Sequence, residues 1–98
     1  MLFVIRFNDR PDSQRIRRQW LAAHIDWLDA RRDSILVAGS LRISPDDPPL
    51  GALWIVEAGD KAAAEALFQS DPFLQNGMRE SFEILHWSKA FPEQRAQV

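Results

Sequence analysis

Residues 35–58, ILVAGSLRISPDDPPLGALWIVEA, decide the architecture. Ile35–Leu41 (ILVAGSL) reads as a strand, an apolar run bounded by polar and turn-forming residues. Ser44–Leu50 (SPDDPPL) holds three prolines and two aspartates and must be a loop, because proline lacks an N–H and fixes its own φ. Ala52–Ala58 (ALWIVEA) is the next strand. On the N-terminal side, Leu2–Phe7 (LFVIRF) is rich in β-branched and aromatic residues and reads as a first strand, ended by Asn8-Asp9-Arg10-Pro11. A helix follows, with Asp12 or Ser13 as its cap. Its apolar stripe is Ile16, Trp20, Ala23, Trp27 and Ala30, at steps of three and four. Arg31 and Arg32 end it, where positive charge suits the negative end of the helix dipole.

On the C-terminal side, Asp60 caps an alanine-rich helix running to about Ser70, with Ala63, Leu67 and Phe68 facing inward. Asp71-Pro72 breaks it, since proline disfavours helical geometry in the residue before it. Met78–Trp87 supplies the last strand, and Ser88–Val98 is a tail whose docking element is Phe91-Pro92. The order β-α-β-β-α-β predicts an α+β ferredoxin-like sandwich: a four-stranded antiparallel sheet with two helices on one face. Residues 1–91 form the domain and 92–98 the tail.

Such a sheet ordinarily shows apolar residues on one face and polar residues on the other. These strands are apolar on both. Leu2 and Val4 oppose Phe3, Ile5 and Phe7; Leu53 and Ile55 oppose Ala52, Trp54 and Val56; Leu85 and Trp87 oppose Phe82 and Ile84. Two helices cover one face only. Leaving the other in water exposes more apolar area than monomers usually tolerate, so the pattern predicts a homodimer packed sheet to sheet. Coverage by the mostly polar tail is the lesser alternative.

Composition narrows the function. Among 98 residues, 46% are hydrophobic and 27% charged, ordinary values for one folded, soluble domain. The net charge of −2 gives no global basic field to attract nucleic acid or an anionic membrane. Cysteine is absent, which removes disulfides, thiolate metal sites and cysteine nucleophiles together. Met1–Phe7 is too short for a membrane span and lacks a basic leader, so a cytoplasmic location is expected.

His24 lies four residues after Trp20, on the flank of the apolar stripe. Imidazole titrates near neutrality and suits proton transfer; the structural alternative is a core-edge ring bonded to a backbone carbonyl. Asp71 follows the second helix, where the dipole disfavours a carboxylate. Its local role would be to bond backbone N–H groups in an Asp-Pro turn. Its functional role would be to accept the other imidazole N–H of His24, fixing tautomer and orientation. His86 sits alone near a strand end, and two histidines without metal-ligand spacing predict no metal site. Gly39-Ser40 interrupts an apolar strand, where the glycine marks either a bulge or close approach that turns the serine toward a pocket, or a simple edge-strand irregularity. No nucleophile elbow and no glycine-rich phosphate loop exists, so no cofactor is expected. The four tryptophans read as core and interface, and Arg15, Arg17 and Arg18 as a solvated helix face that also suits a carboxylate ligand.

In these residues the chain resembles the YCII-related (YciI-like) family of small ferredoxin-like proteins. The resemblance is carried by Ala23-His24 with Trp27-Leu28, by Leu36–Leu41 with Ala38-Gly39, and by Leu50-Gly51 and Glu57-Ala58. It continues through the alanine-rich helix to Asp71-Pro72-Phe73 and Gly77, covering nearly all of residues 1–91. It implies a dimeric α+β barrel and a His–Asp site on His24 and Asp71; Gly39, Ser40 and Phe73 are the expected substrate contacts beside that site. It also implies kinship with muconolactone-isomerase-like proteins and dehalogenating relatives. Two departures stand out: Gly39-Ser40 where relatives often have Gly-Pro, and Ala52 where many carry a small hydroxyl residue. The expected activity is an acid/base enzyme acting on a small organic acid or lactone by isomerisation or elimination. The rivals are a non-catalytic small-molecule binding or regulatory dimer and a cofactor-free oxygenase. An RNA-binding role fails, because ALWIVEA lacks the basic and aromatic signature of that platform.

Overall fold

The computed structural model describes residues 1–98. The elements run β1 (Leu2–Asp9), α1 (Gln14–Asp29), β2 (Ile35–Leu41), β3 (Gly51–Glu57), α2 (Lys61–Leu67), α3 (Pro72–Gln75) and β4 (Arg79–Trp87). The sheet has the order β2-β3-β1-β4 with every neighbouring pair antiparallel. The helices lie on one face, which is the ferredoxin-like α+β architecture the element order predicts. No helix is long and apolar enough to cross a membrane.

The central strand β1 sets the core. Phe3, Ile5 and Phe7 alternate inward and are fully buried beneath the helices, with Trp54 and Val56 of β3, Ile84 of β4, and Trp27 and Phe68 above. The Phe7 ring meets Trp54 at 4.8 Å and Phe68 edge-on at 5.1 Å. Each such side chain contributes about 1.5–3 kcal/mol by leaving water. Gly51 opens β3 beneath the Phe7 carbonyl, and a Cβ there would overlap that oxygen. Only glycine lets β1 and β3 close up at this point.

Both helices are rotated slightly from the predicted stripes. In α1 the buried residues are His24 and Trp27, with Arg17, Trp20 and Leu28 half-buried, while Ala23 and Ala30 face water. The line from Arg17 through Trp20 to His24 and Trp27 packs downward because its long side chains reach the sheet and alanine does not. In α2 the inward pair is Ala64 and Phe68, four apart on one face, and Ala63 is exposed. Asp60 caps α2 as expected, accepting from the Ala63 N–H at 2.7 Å. Ser13 occupies the cap position of α1 without a side-chain bond, because its φ of −91° and ψ of 10° fall outside the extended geometry a capping hydroxyl needs.

Two strand irregularities matter for the site. In β2 an extra residue sits between the pairs Ile35↔Val56 and Val37↔Ile55, so Ile35 and then Ala38 and Ser40 face the helices. The bulge therefore lies at Leu36 and not at Gly39, around which open space remains. In β4 the register shifts between Asn8↔Ser81 and Asp9↔Arg79, which turns Arg79 inward and Glu80 out.

The opposite face of the sheet stays open. Leu41, Leu53, Leu85 and Trp87 are between 39% and 51% exposed there, beside an exposed Arg6–Glu83 ion pair. Residues 94–98 line, together with Leu36, Val37, Ile55 and Trp87, an open groove of about 760 Å³. Phe91 does not dock; it is 58% exposed. The tail leaves Leu53 and Leu85 uncovered.

Candidate active site

The Asp-Pro sequence does more than end α2. Pro72 holds Asp71 in an extended conformation and itself takes the first position of α3. Asp71 thus caps a new helical turn, accepting from the Phe73 N–H at 3.1 Å. The sequence reading placed this carboxylate at the unfavourable end of a helix. The structure places it at the favourable end of the next, a one-turn helix too short to leave a periodic signal.

This turn brings Asp71 against α1. His24 Nδ1 lies 2.6 Å from Asp71 Oδ1, and both residues are buried. Oδ1 also accepts the Phe73 N–H, and an ionised carboxylate has no proton to give, so the contact suits the ring tautomer that carries its hydrogen on Nδ1. In that tautomer Nε2 is bare, on the side away from the carboxylate. Phe73 stacks on the imidazole at 4.0 Å with the planes 16° apart, which fixes the ring's tilt. Nearby, Trp27 Nε1 donates to Ser70 Oγ at 2.9 Å and ties α1 to the turn between α2 and α3.

His24 forms part of the wall of a cavity of about 150 Å³ between α1 and the sheet. Trp54 and Phe73 supply aromatic surface, Ser40 a hydroxyl, and Arg17 and Arg79 two guanidinium groups. Asp9, at the end of β1, holds both arginines: Arg79 donates to Oδ1 at 2.7 Å and Arg17 to Oδ2 at 3.1 Å. The Arg79 guanidinium lies over Phe7 at 4.6 Å, and that of Arg17 over Phe73 at 5.2 Å. Burial lowers the pKa of Arg17 from its ordinary value, while the hydrogen bond and charge of Asp9 oppose that shift.

The sequence matches the YCII-related domain model over residues 1–88. The chain belongs to the YCII-related family. Among solved structures, it is similar to 5-chloro-2-hydroxyhydroquinone dehydrochlorinase (TftG) from Burkholderia phenoliruptrix AC1100, in complex with 2,5-dihydroxybenzoquinone. The two share 27% identity over 90% of this chain and 94% of that one, with a TM-score of 0.80. More distant likenesses show the fold alone. SnoaB, a cofactor-independent oxygenase from Streptomyces nogalater, is 16% identical over 94% of this chain and 96% of that one (TM-score 0.53). An antibiotic biosynthesis monooxygenase is 18% identical over 92% and 99% (TM-score 0.53). No curated protein matches the sequence.

In this YCII-related chain, the structure brings His24, Asp71 and Phe73 into mutual contact. Gly39 and Ser40 line the same cavity from β2, and the Ser40 hydroxyl accepts from Arg42 at 2.7 Å. His86 is elsewhere, exposed on β4 with its ring 4.5 Å from that of Phe3. Arg17, grouped by the sequence reading with Arg15 and Arg18 on a solvated face, is half-buried at the cavity. Asp9 and Arg79 complete the cavity's charged group, and no local pattern in the sequence marks either. Arg17 does carry a signal, its spacing from Trp20 and His24, which puts it on the histidine's helix face.

Proposed function

We propose that this protein is a small-molecule enzyme in which His24, oriented by Asp71, moves a proton on a small, oxygen-bearing organic substrate. The observation that carries the proposal is the buried 2.6 Å contact between Asp71 and His24 Nδ1, on a ring that also lines a cavity. A carboxylate on one ring nitrogen leaves the other as the base, in a fixed orientation. The likeness to a dehydrochlorinase favours elimination: Nε2 takes a proton from the substrate as a leaving group departs from the same molecule. Phe73 and Trp54 would hold a flat ring or lactone, with Gly39 and Ser40 contacting its edge. Isomerisation uses the same groups, with the proton returned to a different carbon.

The test is turnover of hydroxylated chloroquinols and unsaturated lactones in D₂O, following chloride release and deuterium incorporation. The expected result is activity that His24→Gln and Asp71→Asn both lower, the histidine variant by ~10²–10⁴-fold. Full activity in both variants would end the proposal.

We also infer that two copies pack through the open sheet face, because Leu53, Leu85 and Trp87 are too exposed for a stable monomer surface. Sedimentation of the parent should give a dimer, and Leu85→Glu a monomer. A monomeric parent would contradict this.

A further inference from the structure

The cavity beside His24 has a one-sided charge. Its charged side chains are Arg17 and Arg79, and no carboxylate lines it. Asp71 lies fully buried behind the imidazole, and Asp9 has both its oxygens engaged by the arginines. Two guanidinium groups thus share one carboxylate, and Arg79 retains a donor it does not use. Its side chain is only 2% exposed, yet Nε is buried with no hydrogen-bond partner. Five donors on a fixed planar fork are costly to bury unpaired. The aromatic faces of Phe7 and Phe73 hold that fork in place, as close as 4.6 Å to the Phe7 ring.

We propose that Arg17 and Arg79 form an anion-binding subsite, so that the substrate enters as a carboxylate or an ionised enol or phenol with its charged oxygens on the two guanidiniums. Arg79 is the anchor, held from behind by Asp9. Arg17, half-buried and reached from the rim, is the member that adjusts. The subsite rests on the acid/base reading of His24 and gives it a direction. The oxyanion is held apart from Nε2, so the imidazole meets the reacting C–H or O–H and not the charge. Negative charge that develops as the proton moves to Nε2 falls on oxygens already facing the two cations.

The test compares sodium benzoate with benzamide, two flat ligands of nearly equal shape that differ in charge, by NMR titration in low-chloride buffer. Benzoate should shift the Nε–H signals of Arg17 and Arg79 and bind at least tenfold tighter than benzamide. Arg17→Gln should weaken benzoate about ten- to a hundredfold, as the loss of a charge-assisted hydrogen bond implies, and leave benzamide unaffected. Arg79→Lys, which keeps the charge but loses the fork, should weaken it similarly, and backbone spectra of both variants report whether the fold survives. Equal affinity for the two ligands, no benzoate binding at millimolar concentration, or benzoate binding that Arg17→Gln leaves intact would overturn the proposal. His24→Gln separates the two readings: it abolishes turnover under the acid/base reading but spares benzoate binding. Turnover dependent on His24 without preference for the anion would sink only the subsite.

Discussion

Asp71 serves two partners at once, and substitution separates them. It caps α3 through the Phe73 N–H and receives His24 Nδ1 on the same oxygen. Asparagine caps a helix about as well as aspartate, whereas alanine loses about 0.5–2 kcal/mol. Alanine also strands the buried Nδ1–H of His24, at about 1–3 kcal/mol for an unsatisfied donor. Asp71→Ala should therefore cost about 3 kcal/mol, the middle of the summed ranges. Asp71→Asn keeps the one oxygen that accepts both bonds and exchanges the unpartnered Oδ2 for an unpartnered amide NH2, so the net loss is the charge-assisted part of the bond, about 1 kcal/mol. In a domain of this size each kcal/mol lowers Tm by about 4–8 °C. Thermal unfolding should thus place the alanine variant roughly 10–25 °C below the parent and the asparagine variant about 4–8 °C below it. Equal melting of the two variants, or no change in either, would refute the dual role. Under the proposed function the difference between the two disappears for chemistry: the substitution that is milder for stability also removes the carboxylate that orients the base.

Other outcomes follow from the same packing. Asp9→Asn leaves Arg79 buried without its counter-charge and should cost about 3–5 kcal/mol in chemical denaturation. Gly51→Ala places a Cβ against the Phe7 carbonyl and should cost about 1–3 kcal/mol, with exchange of the β1–β3 amides accelerating first. Glu83→Gln breaks only the exposed pair with Arg6, so stability should change by less than about 1 kcal/mol.

The strand faces were legible because their periodicity is simple. Phe3, Ile5 and Phe7 point one way and Leu2 and Val4 the other along an unbroken β1, and β3 repeats the pattern. Counting by twos fails where a strand carries an extra residue. In β4, stepping back from Ile84 and Phe82 turns Glu80 inward, but the bulge at the β1 pairing delivers Arg79 instead. In β2, stepping forward from Ile35 turns Gly39 inward, and the bulge at Leu36 substitutes Ala38 and Ser40. Bulges depend on cross-strand register, which neighbouring residues do not encode.

The site divides along the same line. His24 was legible as a titratable residue beside an apolar stripe, and Asp71 as the residue that an Asp-Pro step holds extended. Their meeting depends on α3, whose four residues are too few to show a helical period. Arg17 shares a helix face with His24, yet three arginines within four positions read as a solvated patch until the sheet beneath them supplies Asp9. Charge on a helix takes its meaning from the partner across the interface.

The most direct test of the central claim is the protonation pattern of the His24 ring, read from long-range ¹H–¹⁵N correlations in mildly alkaline buffer. The account expects the hydrogen on Nδ1 with Nε2 bare, and a shift toward the Nε2–H form in Asp71→Asn. A parent ring protonated on Nε2 would mean that Asp71 does not orient this histidine as a base, and the proposed acid/base function would fall with it.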